Sequence, residues 1–350
     1  MALWGWTQAL AEAGHEVVVL HAGARFRPDS FKSFAQVPQV HGVTVREISH
    51  HGRRRQTLRP VRLERHLEPG DILVLHEGWV LSNLAAARAA RQGRVPYVVI
   101  PHGVYDPLWL KYLKPPRALR YELERKFLEQ ALAVHVFFPS EIQGVTALAP
   151  RSSFVTVPTG HDVDDERWQG GGGYLSWIGR VDPIHKGLDV LVRAVASIPA
   201  DERPVIRIHG YDYKGGYQEL KSLVERRRVE PWFDLRGVIS GADKREFLVR
   251  ADGYVHPSRW ECHSIALLEN LALGVPCLVS SAIPIASELA FHEAAMLAEP
   301  AVGSLAAGLH RLVRRGAEYS RRSSEFVRLR FSWDELIPEY IRELQRLDGR

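Results

Sequence analysis

The sequence predicts an α/β protein built from two doubly wound domains, and two observations carry that prediction. Short apolar or β-branched runs, typical of strands, alternate with helix-like stretches through both halves of the 350 residues. Four consecutive glycines at 170–173 interrupt the alternation once, as a flexible linker would. Because strands that alternate with helices pair in parallel through crossover connections, we expect each half to form its own sheet with helices on both faces.

The first half contains a series of predicted strands and two clear helices. The strands cover 16–20, 43–48, 71–76, 96–101 and 134–139, and the helices cover 79–91 and 117–131. The chain opens on a predicted helix, 3–13, whereas a doubly wound domain normally opens with a strand and a glycine-rich turn. We therefore expect the first strand and its loop to be missing from this sequence; a genuine short variant is the alternative.

The second half repeats the pattern and ends in an amphipathic helix. Its predicted strands cover 174–179, 205–210, 254–258 and 276–281, and its helices cover 187–198, 216–228 and 264–273. The tail, 332–348, is predicted to be one helix that begins at a Ser or Trp-Asp cap. The predicted domains are therefore 1–165 and 166–331, and a helical segment at 332–350 follows them.

The composition is that of a globular protein, with 45% hydrophobic and 25% charged residues. A net charge of +5 favours phosphate-bearing small molecules, anionic lipid surfaces or nucleic acid as partners. Nucleic acid is disfavoured because no basic module with interleaved stacking aromatics is present. Two cysteines, a start without a basic signal-peptide region and the lack of an uncharged run of about 18–20 residues predict a cytoplasmic protein.

Residues 177–195 combine two cations with the start of a helix. A predicted strand ends at Gly179, the following loop carries Arg180 and Lys186, and Gly187 opens the next helix. Cationic side chains and the free N–H groups of a helix N-terminus together favour an anion. Two solvated surface cations beside a loop glycine are the alternative interpretation.

Residues 258–276 place one carboxylate just before a helix and a second one inside it. Glu261 follows a strand, where ligands bind in open α/β sheets, and Ser264 is positioned to cap the helix that Gly274 closes. Glu269 lies on an otherwise apolar stretch and needs a partner, because an unpaired buried carboxylate is costly. A structural ion pair with an arginine elsewhere is the alternative to a functional Glu269.

Together the two segments resemble the donor-binding half of the retaining glycosyltransferases of family 4. The pattern G-R-x5-K-G at 179–187 is followed by E-x7-E at 261–269, and the flanking text runs in the family's order. The resemblance implies the GT-B fold: two Rossmann-like, doubly wound domains facing a cleft, the first on the acceptor side and the second binding a nucleotide-sugar donor. It implies that the C-terminal helix returns to the first domain. It also implies a hexosyltransferase-class enzyme that retains anomeric configuration and uses no metal or other cofactor.

The resemblance also implies roles for the motif residues. Arg180 and Lys186 would receive the negative charge that grows on the leaving diphosphate, one as a planar fork and the other as a point charge. Glu269 would accept hydrogen bonds from the ribose hydroxyls. Glu261 would face the donor sugar and favour positive character at its anomeric carbon.

Five further positions are implied in the same way. Cys262, His263 and Ser264 stand where the family often has a small residue, an aromatic and then Gly or Pro. Backbone N–H groups of that turn usually contact the sugar, so the departure bears on sugar identity. His102 would act at the cleft, beside the donor sugar or the developing charge, and a satisfied core histidine is its alternative. Gly210 would be a loop glycine that lets the backbone approach the nucleotide.

Two basic segments of the first half, 51–66 and 109–126, concentrate Arg, Lys, Trp and Tyr. We interpret them as a surface for an anionic membrane, on whose inner face a peripheral enzyme would reach a glycan or lipid-linked acceptor. The alternative is an ordinary solvated face over a helix whose Leu119, Leu123 and Phe127 pack inward.

The predicted function is transfer of a sugar to such an acceptor in the biosynthesis of a cell-surface polysaccharide or glycolipid. A truncated or degenerate chain that binds nucleotide without turnover is the alternative, because the missing strand would lie near the centre of the first sheet. A different GT-B-like enzyme, such as a nucleotide-sugar epimerase, is disfavoured by the two motifs.

Overall fold

The chain consists of two compact units. The computed structural model describes residues 2–21, 41–52, 58–107, 117–162 and 167–349. The first unit comprises Met1–Gly160 together with Trp333–Arg350, and the second comprises His161–Ser332.

Strands and helices alternate along both units. The strands are β1 (Val17–His21), β2 (Val43–Glu47), β3 (His50–His51), β4 (Arg59–Pro60), β5 (Leu73–His76), β6 (Tyr97–Ile100), β7 (Ala133–Val136), β8 (Phe154–Thr156), β9 (Leu175–Val181), β10 (Ile206–Asp212), β11 (Phe233–Arg236), β12 (Gly253–His256), β13 (Cys277–Ser280) and β14 (Met296–Ala298). The helices are α1 (Ala2–Glu12), α2 (Leu81–Gln92), α3 (Arg117–Glu129), α4 (Ile142–Leu148), α5 (Leu188–Ser197), α6 (Gly216–Arg227), α7 (Gly241–Arg250), α8 (Ile265–Leu273), α9 (Ala286–Phe291), α10 (Val302–Arg315), α11 (Ser320–Arg330) and α12 (Trp333–Asp348).

The strands of the first unit are mainly parallel and form separate sheets. β1 pairs with β2, and β5, β6, β7 and β8 form a four-stranded sheet in that order. β3 and β4 form a short antiparallel pair. The expectation of a further strand ahead of residue 3 stays a prediction.

The C-terminal helix α12 packs within the first unit, as the resemblance implied. Its Leu336 and Tyr340 share an apolar core with Trp6 of α1 and Val98 of β6. The Trp6 ring lies 4.9 Å from the Tyr340 ring, centroid to centroid. Burial of the apolar face of α12 against α1 and the sheet therefore stabilises its position in this unit.

The second unit contains one six-stranded parallel sheet in the order β11-β10-β9-β12-β13-β14. Successive strands thus run outward from β9 in one direction and then outward from β12 in the other, which is the doubly wound order. The side chains of Trp177, Leu191, Ile208 and Leu309 are buried in a core between this sheet and its helices. The predicted α/β class and the parallel sheet are confirmed.

The four glycines at 170–173 are not the linker that we predicted. They lie inside the second unit, where the N–H groups of Gly170 and Gly172 donate to the carbonyl oxygens of Val249 and Arg250. A Cβ atom on Gly172 would lie 2.4 Å from the Arg250 carbonyl oxygen. Close packing of a turn therefore requires glycine here, and a run of glycines in a sequence does not distinguish such a turn from a flexible connection.

For the basic segments, we considered a helix that packs Leu119, Leu123 and Phe127 inward, and helix α3 does not match that alternative. Phe127 is buried, but Leu119 is 60% exposed and Leu123 is 41% exposed. The buried side chains of α3 include Glu124 and Phe127, and residues three or four positions apart share one face of a helix. Leu119 and Leu123 therefore lie on a second, exposed face, and they do not pack inward.

We did not predict the 14-residue helix α10, although Leu305, Leu309 and Leu312 form its buried face. The other elements that we did not predict are short or polar. β8, β11 and β14 have only three or four residues, too few to show an alternating pattern. Helices α7 and α11 carry mostly polar and charged residues, so their buried faces are narrow. None of the helices in the described part of the chain combines the length and apolarity that a bilayer crossing requires.

Candidate functional site

The predicted site residues of the second unit lie at the middle of its sheet, where β9 is beside β12. Arg180 is near the end of strand β9 itself, and not in the loop after Gly179 as we predicted. Lys186 is in the loop after β9, and Glu261 is in the loop after β12. The carboxyl ends of neighbouring parallel strands lie at one edge of a sheet, and the point where the strand order reverses opens a crevice there. The fold therefore brings the two sequence motifs together.

Gly187 permits the close approach of the two loops. It precedes α5 with a φ of +65°, in the left-handed region that favours glycine. A Cβ atom on Gly187 would lie 2.0 Å from the carbonyl oxygen of Pro257. The start of α5 is thus packed directly on the residues that follow β12, and the adjacent Lys186 reaches Glu261.

Glu261 is more buried than the two cations of the motif, Arg180 and Lys186. Its Oε1 atom lies 2.5 Å from Lys186 Nζ, accepts a hydrogen bond of 2.9 Å from Ser258 Oγ, and is 3.5 Å from His256 Nε2. Burial raises the pKa of the Glu261 carboxyl, but Lys186 and His256 outweigh that effect and hold the pKa well below its usual range. Glu261 is therefore a carboxylate, and Lys186 is its counter-ion.

The Arg180 guanidinium is held from several sides. Its Nη2 atom lies 2.7 Å from His185 Nδ1 and 3.8 Å from Asp182 Oδ2. The guanidinium carbon lies 4.3 Å from the centroid of the Tyr213 ring. The Nε atom is buried and has no hydrogen-bond partner among the described residues. Arg180 is thus fixed in place while it retains capacity to donate to an anion.

His185 lies between the two loops. Its Nε2 atom is 2.9 Å from the Trp260 carbonyl oxygen, and its ring stacks on the Trp260 ring with centroids 4.5 Å apart and an angle of 6° between the planes. Burial, followed by the charge of Lys186, lowers the pKa of His185 to about 4. The imidazole is therefore neutral at physiological pH.

A second ion pair holds the loop that carries Glu261. Arg259 donates through Nη1 and Nη2 to the two carboxylate oxygens of Asp189, at 2.6 and 2.9 Å. Asp189 lies in the first turn of α5 and is only 4% exposed. A bidentate pair of this kind fixes geometry as well as adding energy. It therefore anchors the Glu261 loop to α5.

Glu269 has the partner that its apolar surroundings require, and that partner is a lysine instead of the arginine that we considered. Lys244 Nζ of α7 lies 2.7 Å from Glu269 Oε1 of α8. The two side chains are 18% and 15% exposed. This contact leaves the second carboxylate oxygen of Glu269 and two ammonium protons of Lys244 for other partners.

The turn between the two glutamates is ordered by its own contacts. Ser264 caps α8, because its Oγ accepts a hydrogen bond of 3.3 Å from the N–H group of Leu267. The His263 ring lies edge-on to the Phe331 ring, with centroids 5.9 Å apart. Cys262 is partly buried and is not in a disulfide. The capping role of Ser264 is thus observed, whereas contacts of this turn with a sugar stay a prediction.

The resemblance implied that Gly210 is in a loop, but the structure places it in strand β10, opposite Gly179 of β9. A Cβ atom on Gly210 would lie 2.1 Å from the Gly179 carbonyl oxygen. Close packing of the two strands therefore explains this glycine. Its contact with a nucleotide stays a prediction.

His102 belongs to the first unit and is paired with a second histidine. Its Nε2 atom lies 2.9 Å from His76 Nδ1, and the two rings stack with centroids 5.2 Å apart. His102 has a φ of +52°, a costly conformation for a residue with a side chain. Burial lowers the pKa of His102; burial together with the charges of His102 and His135 lowers the pKa of His76 to about 3. Both rings are therefore neutral at physiological pH.

Several contact residues were not predicted from the sequence: His76, Ser258, His256, His185 and Lys244. Two of them stood within reach of the motifs, since His185 directly precedes Lys186 and Ser258 is three residues from Glu261. Nothing in the sequence around Lys244 indicated its contact with Glu269, because the two residues lie on different helices.

The assembled side chains suit an anion with hydroxyl groups attached. Arg180 and Lys186 supply cationic donors, and Glu261 and Glu269 supply acceptors for hydroxyl hydrogens. Across the residues that the structure describes, no group of three or more His, Cys, Asp and Glu side chains has an arrangement that could hold a metal ion.

Comparison with known families decides what kind of protein carries this site. A model described as "Glycosyl transferases group 1" matches residues 163–329, and one described as "Glycosyl transferase 4-like domain" matches residues 2–160. The chain belongs to the group 1 glycosyltransferases. The predicted family and enzyme class, a glycosyltransferase, are thereby confirmed.

Several known proteins are similar to this glycosyltransferase, and the solved structures among them support its fold. O-antigen chain mannosyltransferase B of Escherichia coli is 30% identical over 115 residues, which are 33% of this chain and 29% of that protein. Sucrose-phosphate synthase from Thermosynechococcus elongatus superposes with a TM-score of 0.73 and 17% identity, covering 98% of this chain and 92% of the other. Anabaena Alr3699/HepE in complex with UDP-glucose superposes with a TM-score of 0.76 and 14% identity, covering 99% and 96%. The predicted GT-B fold, with two Rossmann-like domains, is confirmed.

Proposed function

We propose that this group 1 glycosyltransferase moves a sugar from a nucleotide-diphosphate sugar to a glycan or lipid-linked acceptor and retains the anomeric configuration. The observation that carries the proposal is the assembly of Arg180, Lys186 and Glu261 at the switch point of the second unit's sheet. The UDP-glucose bound to the similar Anabaena protein supports a nucleotide-sugar donor. The O-antigen mannosyltransferase supports a role in cell-surface polysaccharide biosynthesis.

Arg180 and Lys186 would act on the leaving group. When the bond between the anomeric carbon and the diphosphate oxygen breaks, its electron pair stays on that oxygen. Preorganised donors aimed at such developing charge are worth about 10²- to 10³-fold each in rate. His185, Asp182 and Tyr213 already hold the Arg180 guanidinium, so little reorganisation is needed when the charge forms.

Glu261 would act on the donor sugar. The described contacts from Lys186, Ser258 and His256 all reach its Oε1 atom. Among the described residues, Oε2 accepts no hydrogen bond, so this oxygen can accept one from a sugar hydroxyl. The carboxylate charge would also favour the positive character of the anomeric carbon. The acceptor oxygen would then bond to that carbon on the face the diphosphate leaves, and its proton would pass to the released diphosphate.

Glu269 would bind the ribose of the donor, with Lys244 holding its carboxylate in position. The two are joined at 2.7 Å, and one carboxylate oxygen remains for a ribose hydroxyl. In the first unit, we assign His102 to the sugar side of the reaction, where a neutral ring could donate or accept one hydrogen bond. We propose that the reaction needs no metal or other cofactor.

We further propose that the enzyme works as a peripheral protein at the cytoplasmic face of an anionic membrane. The exposed face of α3 carries Leu119 and Leu123, and the exposed cation Lys126 lies one turn beyond them. Apolar side chains flanked by cations favour an anionic bilayer surface. Residues 53–57 and 109–116 of the two basic segments lie outside the described residues.

Calorimetric titration with UDP, GDP and ADP, followed by a transfer assay with sugars of whichever nucleotide binds, tests the proposal. We expect one nucleoside diphosphate to bind and Arg180→Ala to lower turnover by about 10²-fold or more. Arg321→Ala is the matched control, because Arg321 is 80% exposed on α11. NMR of the product's anomeric proton reports retention, and activity in EDTA reports metal independence. Near-normal turnover of Arg180→Ala, or an inverted product, would contradict the proposal.

A further inference from the structure

We infer that His185 is a positioning residue for Arg180: its neutral ring accepts a hydrogen bond from the guanidinium and is itself held by the loop that carries Glu261. The inference rests on the proposed function, in which Arg180 binds the diphosphate. His185 would not touch the substrate. It would act through the orientation of Arg180.

The partners of His185 determine which ring nitrogen carries the proton. Arg180 can only donate, so Nδ1, at 2.7 Å from its Nη2 atom, accepts. The Trp260 carbonyl oxygen can only accept, so Nε2, at 2.9 Å, donates. A doubly protonated ring would lose the Arg180 bond and place a second cation beside the guanidinium. The lowered pKa of His185 agrees with the neutral form that this geometry requires.

An aromatic ring and two backbone hydrogen bonds hold His185 in place. Its ring stacks in parallel on Trp260, which directly precedes Glu261. The His185 backbone is held as well, because its N–H group donates to Asp182 Oδ1 at 3.1 Å and its carbonyl oxygen accepts from the Arg259 N–H group at 3.0 Å. His185 therefore links the loop after β9 to the loop after β12 through both its side chain and its main chain.

This link would prepare Arg180 for an anion. Arginine has a long side chain, and ordering it when the ligand binds would reduce affinity. A guanidinium that is already ordered loses less conformational entropy when the ligand binds, and its planar fork keeps the orientation that a phosphate requires. The effect should be confined to the phosphate that Arg180 contacts, and should not extend to the rest of the nucleotide.

Two substitutions separate positioning of Arg180 from simple packing. His185→Phe keeps an aromatic ring on Trp260 and removes both nitrogens. His185→Asn removes the stacked ring but places an amide oxygen close to the position of Nδ1, where it can accept from Arg180. If His185 only fills space, His185→Phe should be the milder substitution. If His185 positions Arg180, His185→Asn should be the milder one.

The measurement is the ratio of monophosphate Kd to diphosphate Kd, obtained by calorimetry with UMP and UDP, GMP and GDP, and AMP and ADP for the pair that binds. A hydrogen bond to a charged group is worth about tenfold or more in affinity. We expect His185→Phe to reduce the ratio by about tenfold with little change in monophosphate Kd, and His185→Asn to keep it within about threefold of the wild type. Should the Phe variant not fold, His185→Leu takes its place.

Arg180→Ala distinguishes failure of the inference from failure of the proposed function. If Arg180→Ala leaves the ratio unchanged, or the wild-type chain binds none of the nucleotides, the diphosphate site itself is wrong and the inference falls with it. If Arg180→Ala lowers the ratio but His185→Phe does not, only the inference is overturned. The inference would also be overturned if the Kd ratio fell equally in His185→Phe and His185→Asn, or fell further in His185→Asn.

Discussion

Lys186 Nζ and Glu261 Oε1 lie 2.5 Å apart although 75 positions separate the two residues in the chain. Their side chains are only 16% and 9% exposed, so each is the other's counter-ion in a largely dry environment. In the proposed reaction, the same lysine faces the diphosphate and the same glutamate faces the sugar. The proposed function and the stability of the site would therefore share one ion pair.

Lys186→Ala should destabilise the second unit more than Glu261→Gln does. The first change leaves a buried carboxylate without its cation, for which about 3–5 kcal/mol is the usual cost. The second leaves an ammonium that is more exposed and better able to reach water. We expect the double variant Lys186→Ala/Glu261→Gln to recover part of the loss, and urea unfolding of the four proteins measures this coupling. Strictly additive losses would show that the pair contributes no coupling energy.

Glu269→Gln should weaken binding of a nucleoside diphosphate by about tenfold or more, because a charge-assisted hydrogen bond to ribose is lost. Binding of inorganic pyrophosphate, which has no ribose, should be unchanged. Lys244→Ala should show the same selectivity with a smaller loss, since Lys244 acts through Glu269. Lys221→Ala, on the exposed face of α6, is the control. Calorimetry measures the affinity of the wild type and the three variants for both ligands. Equal losses of affinity for the nucleoside diphosphate and for pyrophosphate would refute the ribose role.

Gly187→Ala should be far more damaging than Gly215→Ala, although both glycines precede a helix with positive φ. At Gly215, a Cβ atom would have nothing within 4 Å, so only backbone strain of about 1 kcal/mol is expected. At Gly187, the Pro257 carbonyl oxygen would have to move, and Lys186 would move away from Glu261. Thermal unfolding and nucleotide affinity measure the two costs. Equal effects at both positions would show that the contact with Pro257 is not limiting.

The double variant Leu119→Ser/Leu123→Ser should reduce binding to vesicles of phosphatidylglycerol and phosphatidylcholine in a flotation assay. Both leucines are exposed on α3, and their apolar area contributes to binding at the bilayer interface. Leu329→Ser is the matched control, because Leu329 is 69% exposed on α11 in the other unit. Raised salt should weaken the binding of the wild type, since anionic lipids contribute to it. Unchanged flotation of the double variant would remove α3 from the proposed membrane surface.

Much of the site was predictable because its key residues stand in short motifs. Arg180 and Lys186 are six positions apart along the chain, Glu261 and Glu269 are eight positions apart, and the cap at Ser264 depends on a residue only three positions away. The positions of many strands and helices were also predictable from residues close together in the chain, because the spacing of apolar residues shows which face of an element is buried.

Other features were not predictable because they depend on contacts between distant segments. Lys244 and Glu269 are on different helices, and nothing in either helix indicates the other. The glycines at 170–173 pack on residues near 250, which a sequence pattern cannot distinguish from a linker. Leu119 and Leu123 fit an inward-facing stripe equally well until the buried side of α3 is known.

The sequence by itself determined the α/β class, the family resemblance and the charged residues of the candidate site, because periodicity and local motifs are properties of neighbours along the chain. Only the tertiary structure decided that Lys186 is the counter-ion of Glu261, that Lys244 is the counter-ion of Glu269, and that His185 holds Arg180. The physical reason is the strand order. Placing β9 beside β12 brings together side chains whose distance along the chain carries no information about their distance in space.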